Sequence, residues 1–246
     1  MPIHPVGRQT LFKRHLTPYS WMMSSKYEDD MDRSELYHIL AEKQMRADEI
    51  CEQVKSHPIL IPALLEGLSN SSANIKFGSA KVLHLLSEEL PDLLYPEMDF
   101  FASLLDNNNN IIKWNAIIII GNLTAVDVQQ KFERLFSRYY QPITGPTLIT
   151  AANIIKSSKK IIRSKPQLAD RIINQILKVE QGAYQTEDCR NIAIGHAIKL
   201  LEHCDDQISD RKAVYEFVER QARNPRPATR KAAESFLKKR KKSDSR

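Results

Sequence analysis

The sequence predicts an all-α chain built from about five stacked helix pairs. Three observations carry that prediction. Glycine is scarce, 7 in 246 residues, and no two glycines lie closer than the 11 positions from Gly67 to Gly78. Prolines Pro58, Pro91, Pro96, Pro142, Pro146, Pro166, Pro225 and Pro227 fall between apolar periodic segments, where a missing N–H costs least. One pattern also recurs: an aliphatic residue, a basic one, two variable positions, a small residue, then apolar residues four and seven places beyond the small one.

Residues 1–25 contain Pro2, Pro5 and Pro18 without a helical apolar stripe or an apolar signal core, and are expected to form a disordered tail. The stretch is also acid-free and basic, which fits an organelle transit peptide, although Pro18 and weak amphipathicity oppose that reading. An upstream start, with Met22, Met23 or Met31 as the true one, is a further alternative. Asp32 followed by Glu35 resembles a capping box, and Leu36, Ile39, Leu40, Ala47, Ile50 and Val54 then keep helical spacing until His57-Pro58. This predicts one long capping helix, because an end unit has no neighbour to cover its apolar face.

The repeats come next, within an array expected to span 26–240. The first reads Ile75, Lys76, Ser79, Leu83 and Leu86, and the second Ile112, Lys113, Ala116, Ile120 and Leu123. The third has Ala151 or Ala152 as its small residue and no basic residue at its start. The fourth reads Cys189, Arg190, Ala193, Ala197 and Leu200; the fifth reads Thr229, Arg230, Ala233 and Leu237, then Arg240. Steps between small residues are 36 to 41, the period of helical solenoids. First helices are expected at Ile59–Leu68, Pro96–Leu105, Gln129–Tyr140, Pro166–Val179 and Ile208–Arg223. Residues 241–246 read as a basic disordered tail.

This pattern resembles the second helix of a HEAT repeat, within the armadillo-like helical solenoids. The resemblance implies a right-handed α-α superhelix of about five HEAT-like helix pairs with an N-terminal capping helix. It also implies that the basic residue of each unit bonds an Asp or Asn in the turns. Asn70, Asp106 and Asn224 precede Lys76, Lys113 and Arg230 and are candidates for such a ladder.

Composition narrows the function. No glycine-rich phosphate loop exists, which excludes the P-loop and the dinucleotide fingerprint. Three scattered cysteines without a CxxC read as buried thiols of a reducing compartment, and no apolar run approaches a membrane span. A cytoplasmic protein is expected, or a nuclear one if the basic tail acts as a localisation signal. The net charge of +6 is uneven: residues 1–24 carry +3 and 211–246 carry +9, leaving −6 on the rest.

On a helical wheel, the second-helix positions opposite the core are the candidates to line a concave surface. They include Phe77, Lys81, His84 and Glu88 in unit one, Trp114, Ile118, Gly121 and Ala125 in unit two, and Ile149, Asn153, Lys156 and Lys160 in unit three. Units four and five give Asn191, Gly195, Ile198 and Glu202, then Lys231, Ser235, Lys238 and Lys242. Phe77, Lys81, Trp114, Ile118, Asn122, Lys156 and Lys160 are the candidate partner-binding residues. An apolar patch beside positive charge suits a protein segment with hydrophobic and acidic residues. A competing reading makes Trp114 a core residue.

The expected function is therefore a non-catalytic HEAT-repeat scaffold or adaptor binding a protein partner, with no cofactor, metal or small-molecule substrate. The alternative is a nucleic-acid-binding array, DNA-repair-glycosylase-like or RNA-associated. It would use the basic C-terminal third: Arg220, Arg223, Arg230, Lys238, Lys239, Arg240, Lys241 and Lys242, the last five also resembling a localisation signal. Enzyme families with HEAT-like folds fit poorly. The alkylpurine glycosylases place an Asp one turn from a concave Trp, where this chain has Ile118, and deoxyhypusine hydroxylase needs His-Glu pairs that are absent.

Overall fold

The computed structural model describes residues 31–244, with side chains described as far as Arg240. The expectation for residues 1–25 lies outside the described residues. The single capping helix expected from Asp32 to His57 is instead two helices, α1 (Arg33–Glu42) and α2 (Ala47–Ser56). Asp32 caps α1, its carboxylate accepting from the Glu35 amide at 2.8 Å. The chain then turns through Lys43, whose φ of 54° is left-handed and costs a residue with a Cβ about 1–2 kcal/mol. The turn lets α2 lie beside the next long helix and bury Ile50, Cys51 and Val54, which offsets that cost.

Five pairs follow: α3 (Ile61–Gly67) with α4 (Ala73–Glu89); α5 (Pro91–Leu94) and α6 (Met98–Ser103) with α7 (Asn110–Leu123); α8 (Lys131–Tyr140) with α9 (Leu148–Ser164); α10 (Ala169–Ile176) with α11 (Glu187–His203); and α12 (Arg211–Gln221) with α13 (Pro227–Asp244). The second helices α4, α7, α9, α11 and α13 stack in that order, and α1 and α2 both close the layer against α4. The last helix passes position 240 and continues through 241–244, which the sequence assigns to a disordered tail.

The small residues explain the spacing. Ser79, Ala116, Ala151, Ala193 and Ala233 are each at most 1% exposed, and in unit three this selects Ala151 over the half-buried Ala152. A Cβ added at Gly67 would stand 2.3 Å from Ser79 Oγ, so α3 and α4 approach too closely for larger side chains.

The turns into three of the second helices share one device. Asn70, Asn107 and Asn224 each accept, through the side chain, the amide two residues on, at 2.8–2.9 Å, which fixes an Asx turn. The expected ladder takes a different form. Arg230 bonds the Asn224 carbonyl within its own unit at 3.0 Å, while Asp106 pairs with Arg138 of the following unit. Units three and four lack the Asn. There the Tyr184 hydroxyl donates to the Ile143 carbonyl, and Gly145, at φ 112°, approaches Ala183 so closely that a Cβ would meet its oxygen at 2.6 Å.

A buried ion cluster locks the joint between units two and three. Lys165 Nζ stands 3.0 Å from Asp127 Oδ2 and 3.0 Å from Glu133 Oε1. Asp127 also accepts from the Tyr95 hydroxyl at 2.7 Å and from the Lys131 and Phe132 amides at 2.8 and 2.9 Å. Burial alone would raise the Asp127 pKa, but these donors hold the carboxyl below its ordinary value.

Candidate binding face

Each second helix buries one side against its neighbours and leaves a stripe of side chains on the other. Because the helices are stacked, the stripes join into one face. On α4 the stripe runs through half-buried Phe77, exposed Lys81, half-buried His84 and exposed Glu88. On α7 it runs through Ile111, Trp114 and Ile118, and on α9 through Ile149, Asn153, Lys156 and Lys160. The structure thus brings Phe77, Lys81, Trp114, Ile118, Lys156 and Lys160 onto one surface.

Several expected positions lie elsewhere. Asn122 is only 6% exposed, held by donating to Ser87 Oγ at 2.8 Å and accepting from Lys160 Nζ at 2.7 Å. Gly121 is buried against α9, where a Cβ would meet Ser157 Cβ at 2.8 Å. In unit four Asn191 and Ile198 are buried. The stripe there passes instead through Ile192, His196, Lys199 and His203, about one residue on from the wheel assignment.

The α7–α9 part of the face is apolar. Ile111 and Ile149 are 42% and 49% exposed, and both occupy the second position of their helices. Between them the Trp114 indole N–H donates to Thr150 Oγ1 at 3.0 Å, and its ring packs on the core. Trp114 is therefore both a packing residue and the floor of an apolar patch. Sequence reasoning identified the tryptophan but did not single out Ile111, whose exposure follows from its place three residues before Trp114 in the first turn of α7.

Beyond the patch the face becomes basic. Lys160 of α9 reaches Glu88 of α4 at 2.9 Å, crossing α7. Packed helix axes stand about 8–10 Å apart, so this pair spans two interhelical spacings and ties α4 to α9 over α7. The Lys160 hydrogen bond lowers the Glu88 pKa, and burial lowers that of His84 beside it. Lys156 and Lys159 of α9 and His196, Lys199 and His203 of α11 then line a cleft floored by Ile155 and Leu200. Burial and, secondarily, the Lys199 charge push His196 down.

The C-terminal cations are deployed differently. Arg220 grips Glu180 through three hydrogen bonds, at 2.8–3.2 Å. Arg226 bonds both oxygens of Asp188, at 2.7 and 2.8 Å. Lys239 pairs with Glu202, and Arg240, 8% exposed, pairs with Asp205. Arg223 and Lys238 are exposed without an ion pair among the described residues; the side chains of Lys241 and Lys242 lie outside them. Cys51 and Cys204 are buried, and burial raises both thiol pKa values. Among the described residues no helix is long and apolar enough to cross a membrane.

No protein-family model matches the sequence, and no curated protein matches it. Solved structures do resemble it. The designed armadillo repeat protein YIII(Dq)4CqI aligns at 16% identity and a TM-score of 0.51, covering 84% of this chain and 92% of that one. An engineered protein aligns at 12% identity and a TM-score of 0.45, covering 84% and 88% of the two chains. The designed armadillo repeat protein YIII(Dq.V1)4CPAF, in complex with the peptide (KR)4, aligns at 13% identity and 0.47, covering 84% and 90%. The first of these likenesses, together with the stacked pairs, defines the class: an all-α, armadillo- or HEAT-like helical repeat. At these identities the comparisons define the fold and nothing narrower.

Proposed function

We propose that this chain is a non-catalytic scaffold or adaptor whose second-helix face binds a segment of a protein partner. The segment carries aliphatic or aromatic side chains that sit on Ile111, Trp114 and Ile149, and acidic groups that meet the lysines of α9 and α11. One observation carries the reading: on the second-helix face the exposed apolar pair Ile111 and Ile149 adjoins lysines that make no ion pair among the described residues, which is the complement of an amphipathic acidic segment. A patch with a tryptophan floor has the character of an interface hot spot. Of the eight cations on which the nucleic-acid reading rests, Arg220, Lys239 and Arg240 face carboxylates of the chain itself, whereas the apolar patch adjoins lysines with no ion pair among the described residues.

The test compares partner capture from the native cell by the unaltered chain and by an Ile111→Asp/Ile149→Asp variant. Both positions lie in the first turn of a helix, where an acidic side chain suits the dipole, so the fold is retained. A partner captured by the unaltered chain and lost with the variant supports the reading. A full set of partners retained by a folded variant refutes it.

A further inference from the structure

The cleft between α9 and α11 differs from the rest of the charged surface. Lys156 and Lys159, one turn apart on α9, face His196, Lys199 and His203, on successive turns of α11. No carboxylate lines the cleft. Glu88 pairs with Lys160, while also feeling the Lys156 charge, and Glu202 pairs with Lys239. Lys156, Lys159 and Lys199 make no ion pair among the described residues. Three ammonium groups are thus gathered around one recess of 160 Å³ whose lining holds no carboxylate.

The histidines add oriented ring nitrogens. His203 Nδ1 lies 2.6 Å from the Lys199 carbonyl; a carbonyl only accepts, so Nδ1 carries a proton, and Nε2 donates to an anion's oxygen only in the doubly protonated ring. A single carboxylate offers one negative charge and two oxygens, too little for this set. A phosphoryl group offers a charge of about −1.5 to −2 and three acceptor oxygens, which matches three lysines, and the aliphatic floor of Ile155 and Leu200 suits the carbon that bears it.

We propose that this cleft is a phosphoryl-binding pocket, and that its ligand is a phosphorylated side chain of the partner segment. The pocket stands on its own geometry; the protein source of the phosphoryl group rests on the scaffold reading above. Inorganic phosphate and O-phosphoserine are titrated into the full chain at constant ionic strength, with glutarate as a carboxylate control, following the His196 and His203 ring signals by NMR. Saturable shifts with phosphate and phosphoserine, weakened at least tenfold in a Lys156→Gln/Lys199→Gln variant and unchanged in Lys231→Gln/Lys238→Gln, support the pocket. Non-saturating shifts, equal response to glutarate, or unaltered binding by Lys156→Gln/Lys199→Gln overturn it.

Phosphatase treatment of the lysate before capture tests the source. Weaker partner retention supports a phosphoprotein, whereas unchanged retention overturns that assignment, as does a single-stranded oligonucleotide that displaces phosphoserine more effectively than a phosphopeptide does. The two readings fail separately. Saturable phosphate binding with partner capture unaffected by Ile111→Asp/Ile149→Asp overturns the scaffold face alone, and loss of capture in that variant without saturable phosphate binding overturns the pocket alone.

Discussion

Replacing Asp127 by alanine removes four interactions at one buried point: the ion pair with Lys165 at 3.0 Å, the Tyr95 hydroxyl at 2.7 Å, and the Lys131 and Phe132 amides at 2.8 and 2.9 Å. The amide of Phe132, a fully buried residue, is left unpaired, which costs about 1–3 kcal/mol. Loss of the carboxylate at the start of α8 adds about 1 kcal/mol, the usual worth of an N-terminal helix cap. Lys165 keeps Glu133 at 3.0 Å, so its charge is not stranded, and the two costs together come to about 2–4 kcal/mol. Asp106→Ala is the internal control. It also breaks an acid–base pair between units, with Arg138, but both partners are largely exposed, and the expected cost is at most about 1 kcal/mol. Urea unfolding followed by circular dichroism and by tryptophan fluorescence measures both, and agreement of the two probes tests cooperativity in a repeat protein. A cost below about 1 kcal/mol for Asp127→Ala, or equal costs for the two variants, refutes the claim that this cluster locks the joint.

Other expectations follow from the same contacts. Because the folded Asp127 pKa lies below its ordinary 3.8, its contribution is fully present above that value and is lost as pH falls through the lower folded value; acid titration of stability is therefore shallower in Asp127→Ala. Lys160→Gln removes the main cause of the low Glu88 pKa, so that group titrates closer to its ordinary 4.5, which carbon NMR of the carboxyl reads directly. Gly121→Ala drives a Cβ to 2.8 Å from Ser157 Cβ and destabilises by about 1–3 kcal/mol. Gly78→Ala meets only the flexible end of Leu40 and gains helix propensity of about 1 kcal/mol, so its thermal midpoint stays near that of the unaltered chain.

What was legible in the sequence is what packing imposes on single residues. Ser79, Ala116, Ala193 and Ala233 are small because their helices leave no room, and a constraint of that kind shows in the residue itself. The Asn at the turns shows equally at Asn70 and Asn224; in unit two the position belongs to Asn107, because Asp106 is drawn to Arg138 one unit on. The break after α1 was not legible, since Lys43 adopts a left-handed conformation that neither glycine nor asparagine announces. The register of unit four slipped because Asn191 and Ile198 serve the interior, Asn191 accepting from Asn224 at 3.0 Å.

The candidate face was legible in part. Trp114, Lys156 and Lys160 could be placed on it by periodicity alone. Asn122 could not, because its amide holds Lys160 from a buried position. The sequence also overstates the basic C-terminus: Arg220 and its carboxylate partner Glu180 are 40 residues apart, and no local pattern reveals that such a charge is already paired.

On the proposed reading, the partner lies on the second-helix face. A photoreactive residue placed in turn at positions 149 and 199, and at the exposed first-helix positions 134 and 212, distinguishes that face from the opposite one. Crosslinks to one common partner are expected from 149 and 199, and none from 134 or 212. Crosslinks to that partner from 134 or 212, with 149 and 199 silent, would contradict it.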